Sequence, residues 1–79
     1  MTNQEKYNNA FLTTLQIGPE TLGEALIYQS IATWDSVGHM TLIASLEEAF
    51  SISMDIEDII DFSSYEKGKD ILGKYGLSF

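Results

Sequence analysis

Apolar side chains recur at three- and four-residue spacing in three separate stretches of this 79-residue chain, and its only proline stands between the first stretch and the rest. That period gives each stretch one apolar stripe, so the core has to be built from helices packed face to face. Tyr7, Ala10, Phe11, Thr14 and Leu15 predict a helix from about Asn3 to Gln16, stopped by Gly18-Pro19, where the helical amide is missing and helix is disfavoured before it. A second helix starts at Asp35-Ser36, whose side-chain oxygens suit an N-cap. A short third helix of a turn or two covers Asp55–Asp61. The fourth runs from about Ser64 to Tyr75, with Tyr65, Gly68, Ile71, Leu72 and Tyr75 on one side and Gly76 as a stop. The expected fold is therefore all-α, one domain over residues 1–79: a small four-helix bundle with a long loop between helices 1 and 2.

That loop, Ile17 to Asp35, is long for a compact domain, and it is not polar. Leu22, Leu26, Ile27, Tyr28, Ile31 and Trp34 are available for burial, which predicts an ordered crossover with a helical turn around Leu22–Leu26. A chain this short buries only about 60–65% of its unfolded surface, leaving little material for an enclosed catalytic cleft. It has no cysteine, which removes disulfides, thiolate catalysis and zinc–thiolate sites. No basic-then-apolar leader opens the sequence and no apolar run reaches bilayer length, so a cytoplasmic monomer that does not insert into membranes is expected.

The net charge of −8 is unevenly spread. Residues 36–63 carry Glu47, Glu48, Asp55, Glu57, Asp58 and Asp61 with no lysine or arginine, whereas three of the four lysines fall in the last sixteen residues. A one-signed surface of this kind repels nucleic acid and attracts basic protein patches. On a helical wheel of the second helix, Leu42, Ile43, Leu46, Ala49 and Phe50 occupy an arc of about 120° that forms the core face. Ser36 lies opposite, sharing its side with Val37, Met40 and Ala44, then Glu47 and, on the flank, Glu48. An apolar patch with an acidic border is the composition of a transient docking surface.

Two catalytic or metal-binding readings fail on geometry. Asp35, Ser36 and His39 resemble a nucleophilic trio in composition, but three residues of one helical turn do not let an imidazole bridge serine and carboxylate, and no oxyanion hole is evident. His39 falls at the edge of the core arc, as a partly buried helix residue or a group at the mouth of a cargo pocket. The acidic run from Asp55 to Glu66 has the length of a calcium loop, but Ile59 and Ile60 occupy the positions that need an oxygen ligand and a glycine.

Asp35-Ser36-Val37, the helix through Leu46-Glu47-Glu48-Ala49-Phe50 and the acidic turn Ile56-Glu57-Asp58-Ile59 together resemble the acyl carrier protein family, across nearly the whole chain. The resemblance implies that Ser36, flanked by Asp35, receives 4′-phosphopantetheine from coenzyme A by way of a phosphopantetheinyl transferase. Cargo then rides as a thioester, and the missing cysteine is made good by the cofactor's own thiol. It further implies docking to acyl-loading and acyl-transferring enzymes with basic patches through Val37, Met40, Ala44, Glu47, Glu48, Glu57 and Asp58, with no metal and no catalysis by the carrier itself. The chain departs from the fatty-acid-synthesis pattern at Val37, which replaces leucine, and at Gly38 and Thr41, which replace acids. With Trp34 and His39, these departures are similar to stand-alone carriers of specialised pathways, such as surface polysaccharide, lipid or polyketide and other secondary-metabolite biosynthesis. Gly38 also predicts a loosened first turn, since glycine costs up to about 1 kcal/mol relative to alanine in a helix. The alternative from the residues alone is an unmodified acidic adaptor that binds a partner through the Val37, Met40 and Ala44 face.

Overall fold

Thr2 starts the first helix, α1 (Asn3–Leu15), with a reciprocal cap: its hydroxyl accepts from the Glu5 amide at 3.1 Å, and the Glu5 carboxylate accepts from the Thr2 amide at 2.9 Å. Those hydrogen bonds to Thr2 hold the Glu5 carboxyl below its ordinary range. The computed structural model describes residues 1–79 and contains four α-helices and no strand. Tyr7, Ala10, Phe11 and Leu15 form the buried stripe of α1, as their spacing predicts. The stop comes slightly earlier than Gly18-Pro19, at Gln16, whose left-handed backbone (φ 55°) ends the helix.

The crossover is ordered, but its helical turn lies elsewhere than expected. Pro19–Thr21 forms one 3₁₀ turn, and Leu22–Leu26 does not form a helical turn. Two local preferences decide this. Pro19 has its φ preset for the first position of a turn, and Gly23 adopts φ 146°, outside any helix. Further along, the crossover runs against the segment that precedes the last helix. The Tyr28 amide donates to the Ser63 carbonyl at 2.8 Å and the Tyr65 amide to the Leu26 carbonyl at 2.9 Å, around an isolated antiparallel bridge between Ile27 and Ser64. Backbone groups of an apolar loop are thereby satisfied without water, and Leu26 and Trp34 can be buried.

Helix α2 (Ser36–Phe50) packs along α1 and buries Leu42, Ile43 and Leu46, while Ala49 and Phe50, assigned to the same face by the wheel, are half-buried. Helix α3 (Ile56–Asp61) is a six-residue piece, and α4 (Tyr65–Gly73) is capped by the Ser64 hydroxyl, which accepts from the Lys67 amide at 2.9 Å. Helix α4 ends two residues before Tyr75, which is freed to reach back to α3. The centre of the core is aromatic. Phe11 has ring centroids of Tyr7, Tyr65 and Trp34 at 5.0, 5.2 and 5.5 Å, mostly tilted or edge-on, the arrangement that ring quadrupoles favour. Tyr7 is fully enclosed, and burial pushes its phenol far up, consistent with its donating to the Tyr65 carbonyl at 2.6 Å. No helix is long and apolar enough to cross a membrane.

Candidate functional site

Asp35 fixes the start of α2. It is extended (φ −102°, ψ −168°), and its Oδ1 accepts from the Gly38 amide at 2.8 Å while its carbonyl accepts from the His39 amide at 2.8 Å. The carboxylate next to Ser36 is therefore spent as a helix cap. Ser36 becomes the first helical residue, exposed, at the end of the dipole that favours a negative substituent. Its hydroxyl has one hydrogen-bond partner, the Tyr28 hydroxyl at 3.3 Å.

Gly38 has a different role from the loosening expected of it. The Thr33 carbonyl presses so closely on this turn that a Cβ at position 38 would overlap it. Glycine here permits the chain to fold tightly into the N-cap. Gly38→Ala should therefore destabilise, because the overlap is with backbone, and displacing it costs up to about 3 kcal/mol against the roughly 1 kcal/mol alanine returns as helix propensity. Thermal melts of the two proteins check this, a higher midpoint for the variant being the contrary result.

His39 does not face Ser36. Trp34 Nε1–H donates to its Nδ1 at 3.0 Å, so the ring's own hydrogen sits on Nε2 and donates to the Ile59 carbonyl at 2.8 Å. Both nitrogens are engaged, and no Asp–His–Ser relay is formed. The half-buried ring instead ties the crossover, α2 and α3 together, lying edge to edge with Trp34, the two planes 19° apart and the centroids 6.2 Å apart. The His39 ring also lines an open cleft of about 250 Å³, which reaches toward Ser36 through Tyr28, the hydroxyl partner of Ser36. Tyr28, His39 and Met40 line one side; Ile59, Ile60, Phe62 and Ser63 line the other. The walls are mainly apolar, so the cleft suits an apolar group rather than an ion.

The residues expected to dock partners divide into two sets. Val37 and Met40 are 75% and 55% exposed, and Ala44, Glu48 and Glu57 are also exposed. Glu47 is half-buried and accepts from the Met54 amide at 2.8 Å, which closes the turn after α2. Asp58, expected among the docking acids, differs from them in setting: it is only 7% exposed and is paired with the Lys74 ammonium and with the Tyr75 hydroxyl at 2.6 Å. A carboxylate paired this way has a structural role and offers less charge to a partner than an open acid. Ile56 and Ile60, absent from the expected docking set, are 75% and 73% exposed. Their four-residue spacing on α3, with Ile59 turned in, was the available signal. Tyr28 was also missed as a site residue, and no local pattern could have shown it, because its contact with Ser36 is made across the crossover. No group of three or more acidic or histidine side chains converges to hold a metal ion.

The Asp58 clamp makes a signed prediction. The Lys74 ammonium, then the Tyr75 hydroxyl, hold the Asp58 carboxyl below its ordinary value of 3.8, while Asp58 raises Lys74 above 10.5 and Tyr75 above 10.0. Stability from a depressed carboxylate is present above its unfolded value and lost as pH falls through the folded one; that from a raised lysine is lost as pH rises through its folded value. Asp58→Asn should therefore be less stable than the parent at neutral pH, with the gap closing at both acid and alkaline ends. Urea melts across pH test this, and a constant gap would contradict it.

No family model, no curated protein and no solved structure matches the chain.

Proposed function

We propose that this protein is a carrier: it holds an acyl or aminoacyl group as a thioester on a 4′-phosphopantetheine arm attached to Ser36 and presents it to partner enzymes. The observation that carries this reading is the setting of Ser36, an exposed hydroxyl at the first residue of α2, beside an apolar cleft and without a base. The residues present fit the group. A phosphodiester on Ser36 would sit at the positive end of the helix dipole, and the Tyr28 hydroxyl is at hand as a donor. When bound, the arm supplies the thiol that this cysteine-free chain lacks.

Attachment needs a transferase. Ser36 Oγ forms a bond to the β-phosphorus of coenzyme A, the pyrophosphate bond breaks, 3′,5′-adenosine bisphosphate leaves with the electron pair, and the serine proton passes to a base on the transferase. Val37, Met40, Ala44 and Ile60, with Glu48 and Glu57 nearby, form the face offered to that enzyme and to acyl-loading and acyl-transferring partners with basic patches. Such docking is weak and salt-sensitive, which suits a carrier that visits several enzymes in turn. The non-acidic Gly38 and Thr41 favour partners of a specialised pathway over those of fatty-acid synthesis. Incubation with coenzyme A and a broad-specificity phosphopantetheinyl transferase tests the proposal: the intact mass should rise by one phosphopantetheine.

A second reading keeps support from the exposed Val37, Met40, Ile56 and Ile60, which would equally serve an unmodified adaptor binding a partner helix or loop. An unchanged mass after that incubation would favour it.

A further inference from the structure

Tyr28 joins the attachment point to the cleft. Its hydroxyl lies 3.3 Å from Ser36 Oγ, and its ring forms part of the cleft wall. It belongs to the crossover, yet it is not free to wander. Its amide is bonded to the Ser63 carbonyl at 2.8 Å, next to the Ile27–Ser64 bridge. Its ring stands edge-on to His39 at 5.4 Å and to Trp34 at 6.3 Å. The direction of the phenol is therefore set by main-chain pairing and by packing, independently of Ser36.

Proton counting then gives the hydroxyl a role. With Ser36 free, either oxygen can donate, and 3.3 Å is long for a bond between hydroxyls. Once Oγ is esterified it carries no hydrogen, and Tyr28 becomes the only donor of the pair. Its acceptors are then the oxygens of an ionised phosphodiester, and bonds to ionised acceptors are shorter and about twice as strong. Modification should thus tighten this contact. Lys6 lies over the Phe50 ring, Lys69 over the Tyr65 ring and Lys74 on Asp58, so these three ammonium groups are engaged elsewhere, and the amides at the start of α2 are main-chain donors on the same side as the Tyr28 hydroxyl.

We infer that Tyr28 is a positioning residue for the arm: its hydroxyl binds the phosphodiester on Ser36 and turns the arm toward the cleft between Met40 and Ile60, so that apolar cargo is sheltered there. This rests on the carrier reading, and the experiment separates the two. Wild type and Tyr28→Phe, which keeps the ring and removes only the hydroxyl, are loaded with hexanoyl-coenzyme A and a phosphopantetheinyl transferase, and complete loading is checked by intact mass. The ³¹P resonance of the wild-type phosphodiester should differ from that of the same protein unfolded in urea, and in Tyr28→Phe it should move toward the unfolded value. The hexanoyl thioester should hydrolyse about fivefold faster in the variant, the worth of one hydrogen bond near 1 kcal/mol. Thermal melts of both loaded proteins show whether a general loss of stability accounts for the change, and equal midpoints are expected within the error of a surface substitution. If both proteins load but their ³¹P shifts coincide, or their thioester lifetimes agree within about twofold, Tyr28 is only a wall of the cleft and the inference fails while the carrier stands. If wild type does not load, the carrier reading fails and this inference falls with it.

Discussion

Ser36→Ala should lose every transferase-dependent gain in mass and keep its fold. The first effect is all-or-none because the attacking oxygen is removed. The second follows from the site's construction. Asp35, not Ser36, caps α2, and the Ser36 hydroxyl has only the 3.3 Å contact to Tyr28. Exposed substitutions of that kind change stability by no more than about 0.5 kcal/mol. Far-UV circular dichroism melts of the variant should therefore overlay those of the parent. A mass gain that survives in Ser36→Ala would move the attachment to another hydroxyl; Ser30→Ala, in the crossover, should keep the gain and serves as the control.

The largest stability effect is expected at Trp34→Ala. Trp34 has no exposed surface, packs edge-on to Phe11 and Tyr28, and lies side by side with His39, whose Nδ1 accepts its hydrogen bond. Deleting a buried ring of this size costs about 3–5 kcal/mol, and here a ring nitrogen also loses its donor. For a domain of this length each kcal/mol moves the melting midpoint by about 4–8 °C, so a fall of roughly 12–40 °C is expected. Trp34→Phe should recover much of the packing but not the donor, and so fall between. A loss of under about 5 °C in Trp34→Ala would mean that the crossover, α2 and α3 are not joined through this residue.

The three longer helices are legible in the sequence because each carries its own apolar stripe and its own cap, whereas six-residue α3 has no side-chain cap. Thr2, Asp35 and Ser64 all accept from amides three residues on, which is local chemistry. What the sequence hides is long-range. The expected helical turn at Leu22–Leu26 gives way to one at Pro19–Thr21, because Gly23 takes a backbone angle that a helix cannot include, and periodicity says nothing about φ. Asp58 sits in an acidic run and looks like surface charge, but Lys74 and Tyr75, sixteen and seventeen residues later, fold back to enclose it. Gly38 carries a helix penalty on any propensity scale, and only the approach of the Thr33 carbonyl shows why the residue has to be small.

The same division runs through the site. Asp35 is legible as a local cap, and Ser36, Val37, Met40 and Ala44 are legible because they fall on one side of one helix. The cleft is not, because its walls come from the crossover, α2, α3 and the segment before α4. His39 illustrates the difference best. Helical spacing alone rules it out as a base for Ser36 and puts it at the edge of the core, but its partners in space, Trp34 and Ile59, which occupy both nitrogens, are set by the tertiary fold.

If Ser36 is a point of attachment, protein taken from its own cells carries the proof on that residue. Intact-mass measurement followed by fragmentation should find a species heavier than the bare chain by phosphopantetheine, with or without cargo, and should assign the added mass to Ser36. A native protein whose whole population has the mass of the bare chain, or whose added mass lies on another residue, would contradict it.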